Sequence, residues 1–304
     1  MIYPTIKQLR YFTALCETQH FGGAADACNV SQSAFSTAIQ DLESILTVQL
    51  VDRTNRQVTI TAIGQEVAAQ ARLCLRDVES LVEIAGSGKK PLTGALRLGV
   101  IPTIAPFLLP PLLPKLRKAY PQLEIFLTED QTQRIHAKLM DGDLDALLLA
   151  LPFDLRSTDT LPLFKDHFCL AVRQNSKRVS PENYRFSRLD EESILLLEDG
   201  HCLRDHALAA CKIRNSEKVS RFAASSLLTL VEMVDADLGI TFLPEMARGS
   251  SLLRNTQVRM YPLDERSYRT IGLAWRKGSA RSAEFELLGE FIRTRFKQAG
   301  GRKL

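Results

Sequence analysis

Apolar positions recur at helical spacing along the first ninety residues and then give way to short apolar runs separated by polar turns. In TIKQLRYFTALCET the side chains of Ile6, Leu9, Phe12, Leu15 and Cys16 fall on one face, which predicts a first helix. The small residues Ala24, Ala25 and Ala27 in FGGAADACNV allow two helices to approach closely. Ser31 then stands where a cap is needed for SQSAFSTAIQDLESIL, whose apolar face is Phe35, Ala38, Ile39, Leu42, Ile45 and Leu46. This is a helix-turn-helix pattern. Its second helix turns Gln32, Ser33, Ser36, Thr37 and Gln40 outward, short polar side chains able to hydrogen-bond base edges in a major groove. VQLVDRTNRQVTITAIG alternates as a short hairpin with Arg53 and Arg56 at its tip, a wing suited to phosphate or the minor groove.

Val67, Ala71, Cys74, Val78, Leu81 and Ala85 repeat in steps of four and three, a heptad seam along a helix expected over roughly residues 62 to 86. Such a helix is a dimerisation arm that sets two DNA-reading heads one or more helical turns apart. GSGKKPLTG breaks the pattern, so a hinge falls near residues 86 to 94. From residue 95 strands and helices alternate: ALRLGVIP, a helix through APFLLPPLLPKLRKAY, then QLEIFLTE. Further strands are expected at DALLLAL, FCLAVR, SILLLE, SRFAAS, GITFLP and TIGLAWR, and a last helix around SAEFELLGEFIRTRFKQ. The count fits two small parallel-sheet lobes. In such folds ligands bind at strand carboxyl ends near helix N-termini, and VIPT and LEDGHC are strand-end stretches of that kind.

Composition narrows the picture. With 304 residues, 45% hydrophobic and 24% charged, the chain describes an ordinary soluble protein of two or three domains. No signal-like or membrane-spanning run is legible, so a cytoplasmic protein with no membrane partner is expected, its six cysteines reduced. No CxxC pair or Cys/His zinc spacing occurs, so no metal or other cofactor is expected, and Cys16, Cys28, Cys74 and Cys169 default to small buried hydrophobes. The formal net charge of +4 decides nothing about nucleic acid. Through residue 90 there are eight basic side chains against nine acidic ones, so the DNA-reading segment is not basic overall. Binding must rest on a few placed arginines, helix N-termini and several copies acting together.

On AADACNVSQSAFSTAIQDLE followed by RTNRQVTITAIG, the sequence resembles the LysR-type transcriptional regulators over essentially its whole length. LEDGHCLRD, with a second cysteine nine residues after the first, resembles their hydrogen peroxide-sensing members. The resemblance implies an N-terminal all-α winged helix-turn-helix domain over 1–60, a coiled-coil linker helix and hinge over 61–90, and an α/β sensor over 91–304. That sensor would have two periplasmic-binding-like lobes, about 91–165 with 268–304 and about 166–267. It implies a transcription regulator rather than an enzyme, a homotetramer on double-stranded promoter DNA controlling antioxidant genes, and RNA polymerase and a thioredoxin- or glutaredoxin-type reductant as partners. By the same resemblance Cys202 reacts with hydrogen peroxide and Cys211 is its disulfide partner. Thr103, Thr132, His201 and Asp205 match positions that handle peroxide, and Arg269 matches a pocket-side arginine.

The chemistry of the stretch agrees. Thiolate is the reactive form, and a helix N-terminus at Cys202 contributes only about 0.3 to 1 kcal/mol toward it, so a positive group such as His201, Arg204 or Arg269 is also needed. Asp205 opposes ionisation and suits a proton or hydrogen-bond role. Thr103, Thr132 and His201 would stabilise the departing hydroxide. Nine helical residues span about 13.5 Å, against about 6.8 Å at most for the Cα atoms of a disulfide, so the bridge requires the helix to unwind or fold back. Two departures stand out: the exposed recognition face carries no Lys or Arg, and KIRNSEKVSRF after Cys211 is unusually basic. Two other readings remain, a family member responding to a small metabolite or anion between the lobes and a thiol peroxidase.

Overall fold

The structure is a computed structural model that describes residues 2–53, 58–86, 91–176, 189, 191–210 and 216–300. The chain divides into a unit of Met1–Lys90 with Lys138–Leu144 and a unit of Pro91–Ala137 with Asp145–Leu304.

The first unit opens with α1 (Ile6–Thr18), started by a capping box in which Thr5 and Gln8 satisfy each other's backbone amides. α2 (Phe21–Ala27) is capped by His20, whose Nδ1 accepts from Gly23 N at 3.0 Å. α3 (Gln32–Leu46) is capped by Ser31, whose hydroxyl accepts from Ala34 N at 3.3 Å. Phe12, Leu15, Phe35, Ile39 and Leu42 are fully buried between these helices, with Ala24 and Ala25 at their close approach. β1 (Val51–Arg53) and β2 (Val58–Ile60) form the antiparallel wing. Glu43 ties it to α3, its carboxylate accepting from Leu50 N and Val51 N at 2.8 and 3.1 Å. Then α4 runs Ala62–Gly86. A Cβ on Gly64 would stand 2.3 Å from Leu50 O, so the wing can pack on the start of α4 only because that side chain is missing. Along the seam Ala71 is buried, while Leu81 is 66% exposed and Cys74 lies exposed rather than in a core.

The second unit begins β3 (Gly94–Val100), α5 (Ala105–Ala119), β4 (Leu123–Glu129), α6 (Thr132–Met140), β5 (Ala146–Leu151). β4, β3 and β5 are parallel neighbours in that order. The sheets depart from the expected parallel lobes beyond this point. β6 (Thr158–Arg173) and β11 (Tyr268–Arg276) run antiparallel to their neighbours, and the sixteen-residue β6 passes from one lobe into the other, carrying β9 (Thr241–Pro244) and β10 (Val258–Pro262) on its far half. A chain that crosses between lobes and returns along the same seam must pair antiparallel with itself. β7 (Ile194–Leu197) and β8 (Val219–Ala224) pair in parallel, and Ile194 bridges to Ile240 just before β9. α7 (Cys202–Ala210) and α8 (Leu227–Asp235) cover this lobe, and α9 (Ser282–Gly300) covers the first. Leu96, Leu98, Leu147, Leu149, Leu273, Phe285 and Ile292 fill one core. Leu170, Val172, Leu196, Leu230, Val231 and Phe242 fill the other.

Candidate functional site

The carboxyl ends of β3, β4 and β7 converge, and the segments that follow them line one narrow pocket: Ile101, Pro102, Thr103, Gln131, Thr132, Gly200, His201 and Cys202. This is where a doubly wound arrangement leaves a crevice, since β3 lies between β4 and β5. Thr132 is the first residue of α6 and Cys202 the first of α7, so two helix N-termini face the same space. The pocket is narrow and partly open, with no room inside it for a whole water molecule.

Cys202 is a free thiol, 4% exposed. Burial pushes its pKa above the ordinary value, against the pull of the Thr132 hydroxyl, the Arg269 guanidinium and the backbone amide of Ala150; Asp205 adds a smaller upward push. Burial outweighs these stabilising groups, so the thiol's pKa lies above its ordinary value despite the helix N-terminus and Arg269. Arg269 is the cation that acts on the sulfur. Arg204 is engaged elsewhere, with Asp199 at 3.1 Å and Leu197 O at 3.2 Å, and His201 Nε2, 3.9 Å from Glu198 Oε1, is buried in the pocket wall.

Neither threonine spends its hydroxyl on a helix cap. Arg269, fully buried, donates to Thr103 Oγ1 at 2.8 Å and to Thr103 O at 2.9 Å. With its oxygen already accepting, the Thr103 hydroxyl is set to donate its own hydrogen. Thr132 Oγ1 is buried without a partner of good hydrogen-bond geometry; what it does reach is the thiol, whose pKa it lowers. Asp205 departs from its expected position: one helical turn after Cys202, it is exposed on α7 and is not among the residues that line the pocket, although its charge reaches the sulfur.

Sequence reasoning missed the support beneath Arg269. Asp166, the cross-strand partner of Arg269, accepts from its Nε at 3.0 Å and from Met246 N at 3.2 Å, with both charged groups sealed from solvent. Burial raises the Asp166 pKa while Arg269 and the Met246 amide lower it. Alternation in FKDHF could have marked a buried aspartate only if that stretch had been read as strand. Gly200 was also missed: at φ +95° it takes a left-handed turn, and a Cβ there would meet Gln131 Oε1 at 2.8 Å. His206, also unmarked, binds Pro152 O through Nε2 at 3.0 Å.

In the first unit Ser31, Gln32, Ser33, Thr37 and Gln40 are exposed and Ser36 is half-buried. Thr37 donates to Ser33 O at 3.0 Å, which leaves its hydroxyl oxygen as an acceptor. Arg53 ends β1, and Arg56 and Cys211 lie outside the described residues.

Family models match both units: the bacterial regulatory helix-turn-helix of the lysR family over residues 6–65, and the LysR substrate binding domain over residues 89–297. The chain belongs to the LysR family of DNA-binding transcriptional regulators, and it is a regulator rather than an enzyme. Within that family it is similar to the dual regulator OxyR of Escherichia coli, 40% identical over 290 residues covering 95% of each chain. It is also similar to the regulator EstR of Acinetobacter baylyi, 39% identical over 291 residues covering 95% of this chain and 96% of that one. A solved full-length OxyR cysteine variant from Pseudomonas aeruginosa superimposes with a TM-score of 0.80 at 33% identity, covering 96% of both chains. Among the described residues no helix is long and apolar enough to cross a membrane, and no group of three or more His, Cys, Asp or Glu could hold a metal.

Proposed function

We propose that this LysR-family regulator senses hydrogen peroxide at Cys202 and transmits the signal through a Cys202–Cys211 disulfide. The observation that carries the reading is the convergence of two threonine hydroxyls, His201 and a free thiol at a helix N-terminus in one small pocket, underlain by the buried Arg269. The similarity to OxyR, and to curated relatives described as hydrogen peroxide-inducible genes activators, supports it.

In the first step the pocket widens to admit peroxide, Cys202 Sγ attacks one peroxide oxygen and the O–O bond breaks. The thiol becomes a sulfenic acid, and the thiol proton ends on the departing oxygen, so water leaves. Because burial keeps the thiol protonated, that proton must be handed on as the bond breaks; Thr103 and Thr132 donate to the departing oxygen where its charge develops. His201 adds a third group in the pocket wall. In the second step the Cys211 thiol displaces the sulfenic oxygen as water and the disulfide forms. α7 begins at Cys202, so the helix must unwind for the sulfurs to meet. A thioredoxin- or glutaredoxin-type dithiol then returns both thiols and is itself oxidised. The winged heads bind promoter DNA through Ser31, Gln32, Ser33, Ser36, Thr37, Gln40, Arg53 and Arg56, in a tetramer held partly by α4. The regulator works in the cytoplasm alongside RNA polymerase.

A second reading has a small metabolite or anion between the lobes as the signal; EstR, as similar to this chain as OxyR is, is described only as a transcriptional regulator, with no peroxide in its name. Brief low-dose peroxide followed by thiol mass spectrometry separates the two. The peroxide reading expects Cys202 and Cys211 to oxidise ahead of the other four cysteines, and a Cys202→Ser protein to keep its DNA binding but lose its peroxide response. A normal peroxide response in Cys202→Ser, with DNA binding shifted by a metabolite, would leave the second reading.

A further inference from the structure

His206 stands one helical turn after Cys202, and both side chains meet the end of the same strand. The backbone amide of Ala150 lies near enough to Cys202 to lower its thiol pKa, and Pro152 O accepts from His206 Nε2 at 3.0 Å. α7 is thus fastened beside the end of β5 by the His206–Pro152 bond, one turn from the reacting sulfur. The anchor is itself held: His136, on α6, hydrogen-bonds through Nε2 to Arg156 O at 3.3 Å, four residues beyond Pro152.

A carbonyl only accepts, so Nε2 of His206 carries the hydrogen and Nδ1 is left with a bare lone pair. That Nδ1 is buried and has no hydrogen-bond partner among the described residues. A proton added there becomes a buried N–H with nothing to receive it, which the packed helix resists. Of the charges around the ring, Arg269 on β11 opposes protonation and Asp205 on α7 favours it. On the loop, Asp154 and Arg156 pair with each other in solvent at 3.7 Å. Burial is the largest influence and, with Arg269, holds the imidazole below its ordinary pKa, outweighing the Pro152 hydrogen bond, which by itself favours the protonated ring.

We propose that His206 is the catch on the Cys202 helix: its neutral ring holds α7 against Pro152, and uptake of a proton releases the helix to unwind. The consequence, faster closure of the Cys202–Cys211 bridge, rests on the disulfide reading above; the catch is a property of the reduced protein. An unwound segment carries an imidazole that binds its proton near pH 6.5, whereas the packed helix binds it less readily. Packing is therefore at full strength above that pH and weakens as the pH falls through it.

Amide hydrogen exchange of the full-length reduced protein, read over His206–Ala210 by mass spectrometry, tests this without peroxide. His206→Ala removes the hydrogen bond; His206→Gln keeps a donor that does not titrate. At pH 7.5 the Ala variant should exchange about five-fold faster than wild type, the factor one lost hydrogen bond supplies, with α8 unchanged. Between pH 7.5 and 5.5 the ratio of wild-type to Gln-variant exchange should rise several-fold, with a ceiling of about ten-fold. Equal exchange in wild type and the Ala variant, or a wild-type to Gln ratio that stays flat across the pH range, overturns the catch. If His206→Ala does not fold, the pH profile of wild type against Gln decides alone. Failure of the redox reading shows up separately, as peroxide-treated wild type with no Cys202–Cys211 bridge.

Discussion

Thr132 and Thr103 look alike in sequence and differ in what their removal costs. Thr132 Oγ1 is buried without a good partner, so Thr132→Val should leave stability within about 1 kcal/mol of wild type while slowing peroxide oxidation of Cys202 by about 100-fold. A urea melt and a stopped-flow sulfenic acid assay check the two halves. Thr103→Val, by contrast, strands a hydrogen bond of the buried Arg269 and should cost stability as well as rate. Below both sits the Asp166–Arg269 pair. Asp166→Asn leaves a sealed guanidinium without its counter-charge, an expected loss of about 3 to 5 kcal/mol in a denaturant melt. Because burial raises the Cys202 pKa, the thiolate fraction grows across the whole neutral range. The oxidation rate should keep climbing with pH toward and beyond 9, where an unperturbed thiol would level off. The same sign makes this packing strongest below the unfolded thiol's pKa and progressively weaker as pH rises above it. A plateau near pH 7 would instead mean that the sulfur ionises early.

At the level of elements, legibility followed the apolar pattern. α3, its Ser31 cap and its buried face of Phe35, Ile39 and Leu42 could be read directly, since capping and the 3.6-residue period are local. α4 fell over the expected residues because a heptad repeat needs no tertiary partner to be seen. The first half of β6 was not read, as Thr158–Lys165 mixes charges and a proline and only its pairing with β11 makes it strand. β10 was missed for the same reason: VRMYP is an edge strand of five residues, stabilised by its ladder with β6. For the proposed wing contacts, removing Arg53 or Arg56 should weaken DNA binding evenly across sequences and reduce the slope of log K against log salt by about one each. A change confined to one operator sequence would mean base reading instead.

For the whole molecule, Leu81, with Val82 beside it, is exposed on α4, the helix proposed to join copies. Leu81→Asp should lower the mass seen by light scattering and weaken promoter binding more than ten-fold, because two linked heads bind far better than one. The sequence by itself determined the winged head, the long linker helix, the alternation of strands and helices, and a thiol at a helix start beside His201. These depend on neighbours along the chain, through periodicity, capping and turn chemistry. Only the tertiary structure decided that the sulfur is buried, with its pKa pushed up, and that Asp205 stands exposed outside the pocket lining. It also decided that Asp166 and Arg269 underpin Thr103, and that His206 reaches Pro152. Burial and cross-strand partnership are set by residues tens to hundreds of positions apart, and no local pattern records a dielectric environment or a distance between strands.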